Sequence, residues 1–126
     1  MILRINLPTG IFVDQEVSSV VAESPRGSFC LMPRHVDMAS ILAPGLFCYR
    51  ADGMESYLAI DRGVLVKQGR DVHVAARSAV AGELGFLEGE VRRMHEEMDE
   101  QERSTRSAVA RLEANFVRRF MEYGRS

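Results

Sequence analysis

LFCYRADGMESYLAID, residues 46–61, is the stretch that decides the fold. Two runs in which apolar and polar residues alternate flank the dipeptide Asp52-Gly53 at its centre. Asp-Gly between two such runs is typical of a tight hairpin turn, because both central positions of that turn need positive φ angles. The stretch therefore predicts two antiparallel strands, from Leu46 to Arg50 and from Glu55 to Asp61.

Similar short runs extend from this hairpin in both directions, as far as about residue 80. All four prolines and most of the glycines lie before that point and separate the runs. About eight short strands with a turn roughly every ten residues predict a β-sandwich or barrel over residues 1–80. The segment from Asp37 to Leu42 is compatible with either one helical turn or a short strand. The other predicted strands are Ile2 to Leu7, Ile11 to Val13, Val17 to Glu23, Ser28 to Met32, Gly63 to Lys67 and Asp71 to Ala76.

After residue 80 the apolar residues recur every three or four positions, as on one face of a helix. The segment from Asp99 to Ser107 has no apolar residue and separates two apolar stripes. We expect a helical domain over residues 81–126, folded as a two-helix hairpin with Ser104 as the N-cap of the second helix. One long helix is the alternative, because the polar segment contains no strong helix breaker. The stripes are Leu84, Leu87, Val91, Met94 and Met98, and Ala108, Val109, Leu112, Phe116, Val117 and Phe120.

Composition excludes several classes of protein. A chain of 126 residues fits one domain with an appendage. Its net charge of −2 is too close to neutral for an electrostatic nucleic-acid binder. No apolar run approaches the ~20 residues of a membrane-spanning helix. Cys30 and Cys48 belong to no disulfide framework, so we expect two free, buried thiols in a reducing compartment.

The stretch from Gly27 to Gly45, GSFCLMPRHVDMASILAPG, interrupts the predicted sheet with the trio Pro33-Arg34-His35. An enzyme hypothesis would use His35 with Cys30 and Asp37, but their spacing matches no known zinc pattern. The chain also has no glycine-rich phosphate loop and no Ser-His-Asp set. We therefore predict no catalytic residue, no metal site and no cofactor. A β-domain with an amphipathic helical arm is better explained as an interaction protein.

Motifs spaced along the whole chain resemble those of one known family, the epsilon subunit of F-type ATP synthases. In the family's first strands the resemblance rests on Leu7 to Gly10 and on Val17 to Ala22. Further matches follow at Gly27, Leu31, Pro33, His35, Leu42, Pro44 and Gly45, then from Tyr57 to Ile60, at Gly63, Val64 and Leu65, and at Val72, Val74, Ser78 and Ala79.

Four residues depart from the family pattern near its Leu-Pro-x-His motif. Cys30 and Arg34 replace two glycines, Asp37 replaces a proline, and Ser28 stands where an acidic residue is common. The sequence Arg34-His35-Val36-Asp37 resembles the variant in the alternate, sodium- or proton-linked type of bacterial and archaeal F-ATPase operon.

The resemblance implies a sandwich of ten strands in two five-stranded sheets, followed by a helical hairpin. It implies a non-catalytic subunit of the central stalk, peripheral to the cytoplasmic face of the inner membrane through the complex. Its β-domain would link the gamma subunit to the membrane ring. The expected contacts with the ring or the gamma subunit are Ser28, Pro33, Arg34, His35 and Asp37. The alternative is an unrelated β-sandwich adaptor with a helical arm.

In the family, the C-terminal helices can extend into the catalytic head, formed by the alpha and beta subunits, and hold back ATP hydrolysis. The resemblance assigns that contact to Arg111, Arg118 and Arg119. The segment from Met98 to Ser104 has one residue more than the ATP-binding motif of some members and ends in serine. Binding of ATP therefore stays open. The identity of the coupled ion, proton or sodium, also stays open, because the ion ligands belong to the ring.

Overall fold

A computed structural model of the chain describes residues 1–124, which form ten β-strands followed by one helix. The strands are β1 (Ile2–Leu7), β2 (Gly10–Glu16), β3 (Ser19–Ser24), β4 (Gly27–Leu31), β5 (Met38–Leu42), β6 (Gly45–Ala51), β7 (Met54–Ile60), β8 (Gly63–Gln68), β9 (Asp71–Ala76) and β10 (Ala79–Ala81), and the helix is α1 (Leu84–Gly124).

The strands form two five-stranded sheets, which confirms the predicted two-sheet architecture. The first sheet has the order β2-β1-β9-β8-β5 and the second the order β10-β7-β6-β3-β4. β1 and β9 run parallel, and the other described pairs are antiparallel. The hairpin predicted at residues 46–61 is confirmed as β6 and β7. Its turn has φ angles of 52° at Asp52 and 76° at Gly53, as the Asp-Gly signal requires.

The core lies between the two sheets. It is formed by every second residue along the strands, the residues whose side chains point inward. Its largest side chain is Phe47, which is 1% exposed. One inward position of β8 is not apolar, because Lys67 is only 2% exposed. Other core residues come from both sheets: Leu3, Ile5, Val20, Leu31, Leu42, Leu58, Leu65, Val72 and Val74.

Two strand connections pass from sheet to sheet side by side. Asp61 and Arg62 lead from β7 to β8, while Arg77 and Ser78 lead from β9 to β10. The Asp61 amide donates to the Ser78 carbonyl at 3.0 Å, and the Arg77 amide donates to the Arg62 carbonyl at 3.2 Å. The short strand β10 that follows shows no alternation signal in its three residues. The segment compatible with a turn or a strand is a strand, β5.

The first part of α1, up to Met94, packs on the second sheet. Leu87 and Met94 are 0% and 1% exposed, and they form a small apolar cluster with Ala59 of β7. The partly buried residues packed against this cluster are Leu46, Tyr57, Val80 and Val91. The first predicted stripe therefore provides the contact that fixes the start of the helix on the sandwich.

The predicted helical hairpin is not found, because α1 continues through the polar segment as the single long helix left as the alternative. Ser104 is an interior residue of the helix and not an N-cap. The polar segment has helix-compatible contacts: the Thr105 hydroxyl donates to the Gln101 carbonyl at 2.9 Å, and Arg106 lies 3.9 Å from Glu102. A helix passes through such a segment because it lacks proline and glycine.

The chain divides into two compact units, Met1–Met94 and a second unit that begins at His95. In the second unit the apolar residues of the second stripe are exposed, with Leu112 at 68% and Phe116 at 71%. The side chain of Phe120, which belongs to the same predicted stripe, lies outside the described part of the chain. No helix in the described residues is long and apolar enough to cross a membrane.

Cys30 and Cys48 are free thiols, but the expectation that both are buried is wrong. Cys30 is exposed on β4 and Cys48 is half-buried on β6. Val21 of β3 pairs with both residues, so their Cα atoms are two strand spacings apart, about 9.6 Å. That separation is too wide for a disulfide.

Candidate functional site

The rim loop, Met32–Asp37, connects β4 of the second sheet to β5 of the first. All of its residues are exposed, among them the predicted contacts Pro33, Arg34, His35 and Asp37. The His35 amide donates to the Met32 carbonyl at 3.0 Å and closes a turn inside the loop. Proline at the start of this turn limits the backbone conformations that the loop can adopt. The structure therefore brings four of the five predicted contact residues together on one exposed loop.

The fifth predicted contact, Ser28, lies elsewhere. It is exposed near the start of β4, where it pairs with Glu23 beside the β3–β4 turn. The rim loop begins beyond the other end of β4, about 15 Å away along an extended strand. Ser28 and Arg34 therefore lie at opposite ends of β4, the edge strand of the second sheet.

The rim loop is attached to the β8–β9 turn, Gln68–Arg70, by a residue that sequence reasoning missed. The Lys67 ammonium donates to the His35 carbonyl at 2.6 Å and to the Gly69 carbonyl at 2.9 Å. The Asp37 carboxylate accepts a hydrogen bond from the Gly69 amide at 2.8 Å. The available signal was that Lys67 is the chain's only lysine and stands at an inward position of an alternating strand.

The first sheet has an apolar outer face, formed by Ala39, Ile41, Val64, Val66 and Ala75. Ile41 is 67% exposed and Val64 is 47% exposed, and the two residues pair directly across β5 and β8. Ala39 pairs with Val66, and Val64 also pairs with Ala75 of β9. A contiguous apolar surface on a sheet is typical of a protein interface. The consecutive apolar residues Val64, Leu65 and Val66 signalled it, because a strand with one solvated face should alternate.

The outer face of the second sheet has a polar cluster on β6 and β7. Arg50 donates to one oxygen of Glu55 at 2.7 Å, and the Tyr57 hydroxyl donates to the other oxygen at 2.6 Å. These hydrogen bonds, first from Tyr57 and then from Arg50, lower the pKa of Glu55. The same bond to Glu55 raises the pKa of Tyr57, because the neutral hydroxyl is the donor.

The Cys48 thiol next to this cluster is a weak acid. Burial raises its pKa, and the negative charge of Glu55 raises it further. A raised pKa disfavours the thiolate, which is both the nucleophile and the metal ligand. Among the described residues, no three His, Cys, Asp or Glu side chains come together as a metal-binding group.

The three predicted head-contact arginines are all exposed on α1. At about 100° per residue, Arg111 and Arg118 share one face of the helix, opposite Val109 and Phe116. Arg119 lies about 100° away from Arg118, beside the exposed apolar stripe. The helix therefore places two of the predicted arginines together on one face and the third next to the apolar residues.

Comparison with known proteins identifies the family. The family model of the ATP synthase delta/epsilon chain β-sandwich domain matches residues 1–82. The "ATP synthase epsilon chain 2" of Cereibacter sphaeroides is 37% identical over 125 residues, which cover 96% of this chain and 86% of that one. The chain belongs to the ATP synthase epsilon family. The "ATP synthase epsilon chain 2" of Paraburkholderia xenovorans is 31% identical, with 96% of this chain and 90% of that one covered.

Solved structures of ATP synthases share the epsilon-family fold. A chain of the Euglena gracilis mitochondrial ATP synthase, in an assembly of OSCP, F1 and c-ring, matches with a TM-score of 0.61 at 20% identity. A chain of the Tetrahymena thermophila central stalk and c-ring matches with a TM-score of 0.56 at 10% identity. Both matches cover 64% of this chain, which spans 52% and 65% of those chains. The resemblance found in the sequence motifs is thus confirmed at the level of family and fold.

Proposed function

We propose that this epsilon-family chain is a non-catalytic rotor subunit of the central stalk, which links the gamma subunit to the membrane ring. The observation that carries the proposal is the match to epsilon chains along 96% of the sequence. The first unit also offers two separate surfaces, the apolar outer face and the rim loop. A linking subunit needs two such surfaces, because it contacts two partners at once.

The apolar outer face is the surface proposed for the gamma subunit. Ile41, Val64 and Val66 are exposed on neighbouring strands. Because their side chains are β-branched and have few rotamers, they present an ordered apolar surface to a partner. Burial of that surface supplies the hydrophobic driving force for a lasting complex. A permanent contact of this kind suits two subunits that turn together.

The rim loop is the surface proposed for the polar loops of the ring. Arg34 and His35 are exposed there and offer hydrogen-bond donors to carboxylates and backbone carbonyls. A contact with ring loops holds the chain at the cytoplasmic face of the membrane as a peripheral component of the complex. The ring, and not this chain, would bind the translocated ion.

Co-purification tests the proposal. The tagged full chain should recover the gamma subunit and the ring from detergent-solubilised membranes of its source organism. Ile41→Glu should weaken gamma binding at least about tenfold, because it places an unpaired charge in the proposed interface. Ile11→Glu is the matched control, since Ile11 is 62% exposed on β2, at the opposite edge of the same sheet. Recovery of no ATP synthase subunit would favour the unrelated adaptor.

Arg34→Gly tests the ring contact. The substitution removes the guanidinium from an exposed loop position and should leave assembly intact. ATP-driven ion uptake by membrane vesicles should fall relative to the rate of ATP hydrolysis. Unchanged coupling would leave Arg34 with a structural role only.

A second proposed function is control of ATP hydrolysis by α1. The helix from His95 to Gly124 is about 45 Å long and exposes Arg111 and Arg118 on one face. An exposed amphipathic helix with arginines suits a groove that has apolar walls and carboxylates. The proposed site of that groove is the catalytic head, between the alpha and beta subunits.

A further inference from the structure

Lys67 occupies a position that the strand pattern reserves for an apolar side chain. On β8 it follows Leu65 by two residues, so both side chains point between the sheets. The exposed fractions are 0% for Leu65 and 2% for Lys67. A buried ammonium group is unfavourable unless its donors are paired. A lysine at this position therefore bonds to polar groups of other segments, which is a structural consequence that an apolar residue would not have.

That consequence is the connection of two surface segments. The Lys67 ammonium reaches the His35 carbonyl of the rim loop at 2.6 Å and the Gly69 carbonyl of the β8–β9 turn at 2.9 Å. Asp37 adds a third bond from outside, since its carboxylate accepts from the Gly69 amide at 2.8 Å. One bond from the loop to the turn and two bonds through the ammonium make the loop and the turn one hydrogen-bonded unit.

The rim loop has few other contacts that could order it. Every residue from Met32 to Asp37 is exposed, so no side chain of the loop is fixed in the core. Within the loop the His35 amide donates to the Met32 carbonyl at 3.0 Å and the His35 Nδ1 lies 2.9 Å from the carbonyl oxygen of the next residue, Val36, so these bonds order only one turn. A loop that is ordered before binding binds more tightly, because the ordering cost is not incurred on association.

We propose that Lys67 is a positioning residue that locks the rim loop onto the β8–β9 turn. The lock consists of the two hydrogen bonds of the Lys67 ammonium and the hydrogen bond between Asp37 and Gly69. It makes Arg34 and His35 of the loop and Arg70 of the turn one preformed surface for a partner. The inference rests on the proposed function, in which the rim loop contacts the polar loops of the membrane ring. It extends that contact surface to the turn Gln68–Arg70.

Two variants of the full chain test the lock. Lys67→Met keeps the buried aliphatic stem and removes the ammonium. Asp37→Ala removes the acceptor for the Gly69 amide at an exposed position, so it tests the lock even if Lys67→Met does not fold. Asp37→Asn is the matched control, because an amide oxygen can still accept that bond.

The first measurement is backbone hydrogen exchange in the isolated chain, together with the urea midpoint of unfolding. In Lys67→Met the amides of His35 and Gly69 should exchange roughly tenfold faster, while the urea midpoint stays unchanged or rises. Asp37→Ala should accelerate exchange at Gly69, and Asp37→Asn should not. Unchanged exchange at both amides in Lys67→Met and in Asp37→Ala would overturn the lock.

The second measurement is binding of each variant to the purified membrane ring carrying the gamma subunit. Lys67→Met should bind the ring roughly tenfold more weakly than the original chain does. Its urea midpoint should not be lower than that of the original chain. A loss of binding that only parallels a lower midpoint would reduce Lys67 to a stabilising residue and overturn the positioning role. If the variants show the expected faster exchange but the original chain binds no ring, the proposed function fails and the lock stands.

Discussion

Gly63 stands at the start of β8, where the neighbouring strand β9 leaves no space for a side chain. An added Cβ would collide with the Ala75 carbonyl oxygen and would lie 2.9 Å from the Ala76 Cα. Both atoms belong to the backbone, so the clash cannot be relieved by a rotamer change. Gly63→Ala should therefore lower the free energy of unfolding by about 3 kcal/mol, measured by urea denaturation.

Gly89 provides the matched control for that substitution. It lies in α1 with no atom near the position of an added Cβ. Gly89→Ala should raise the free energy of unfolding by about 0.5–1 kcal/mol, because alanine favours the helix more than glycine does. Equal effects of the two substitutions would show that the β8–β9 approach is not a steric constraint.

The Glu55 cluster predicts a pH dependence at the residue scale. Because its pKa is lowered in the folded chain, Glu55 stabilises the fold above its unfolded pKa of about 4.3. This contribution is lost as the pH falls through the folded pKa. In urea denaturation, the original chain should lose more stability than Glu55→Gln between about pH 5 and about pH 3.

The same substitution should lower the pKa of Tyr57 towards its ordinary value, because a neutral amide replaces the negative carboxylate that accepts the hydrogen bond from the Tyr57 hydroxyl. Ultraviolet titration of tyrosinate measures this change, and Tyr57→Phe assigns the signal. Glu16→Gln, on β2 of the other sheet, is the control and should leave the titration as it is. An unmoved Tyr57 titration in Glu55→Gln would contradict the contact between the Tyr57 hydroxyl and the Glu55 carboxylate.

At the scale of elements, the strands were predictable because each one carries its own local signal. Alternation and turn residues indicated β1, β6, β7 and β9 within one or two residues of their bounds. The short strand β10 was not predictable, since three residues are too few to show a period. The state of the helix was not predictable either, because an amphipathic stripe indicates that a face will be covered and not what covers it.

The two apolar stripes of α1 should differ in their contribution to stability. Leu87 is 0% exposed against Ala59, so Leu87→Ala should lower the free energy of unfolding by about 2–4 kcal/mol. Leu112 is 68% exposed, so Leu112→Ala should change it by less than about 0.5 kcal/mol. Urea denaturation followed by circular dichroism measures both values. A large loss in Leu112→Ala would mean that the second stripe packs on a protein surface in solution.

At the scale of the whole molecule, family motifs predicted what local physics could not. The two five-stranded sheets followed from the resemblance, whereas alternation alone left a sandwich or a barrel. At the candidate site the motif located the rim loop but not its attachment. Lys67 contacts His35 from 32 residues away in sequence, and no local pattern encodes a contact of that range. Ser28 was predicted as a contact together with the rim-loop residues, and no local pattern showed that β4 separates it from them in space.

The two units predict where the chain can be shortened. A chain that ends at Met94 keeps Leu87 and Met94 on Ala59, whereas a chain that ends at Gly82 would uncover this apolar contact. The chain ending at Met94 should therefore fold and assemble with the gamma subunit and the ring, as measured by co-purification. A chain ending at Gly82 should lose stability through the exposed Ala59 surface.

If α1 restrains the catalytic head, the assembled enzyme with the chain ending at Met94 should hydrolyse ATP at least about fivefold faster. The full chain with Arg111→Gln and Arg118→Gln should show part of the same increase, because only the proposed contacts are removed. Arg103→Gln is the control, since Arg103 lies outside the predicted head contact on the same exposed helix. An unchanged or lower rate in the shortened enzyme, with assembly retained, would remove the inhibitory role of α1. The linking role would remain, because it depends on the apolar outer face and the rim loop of the first unit.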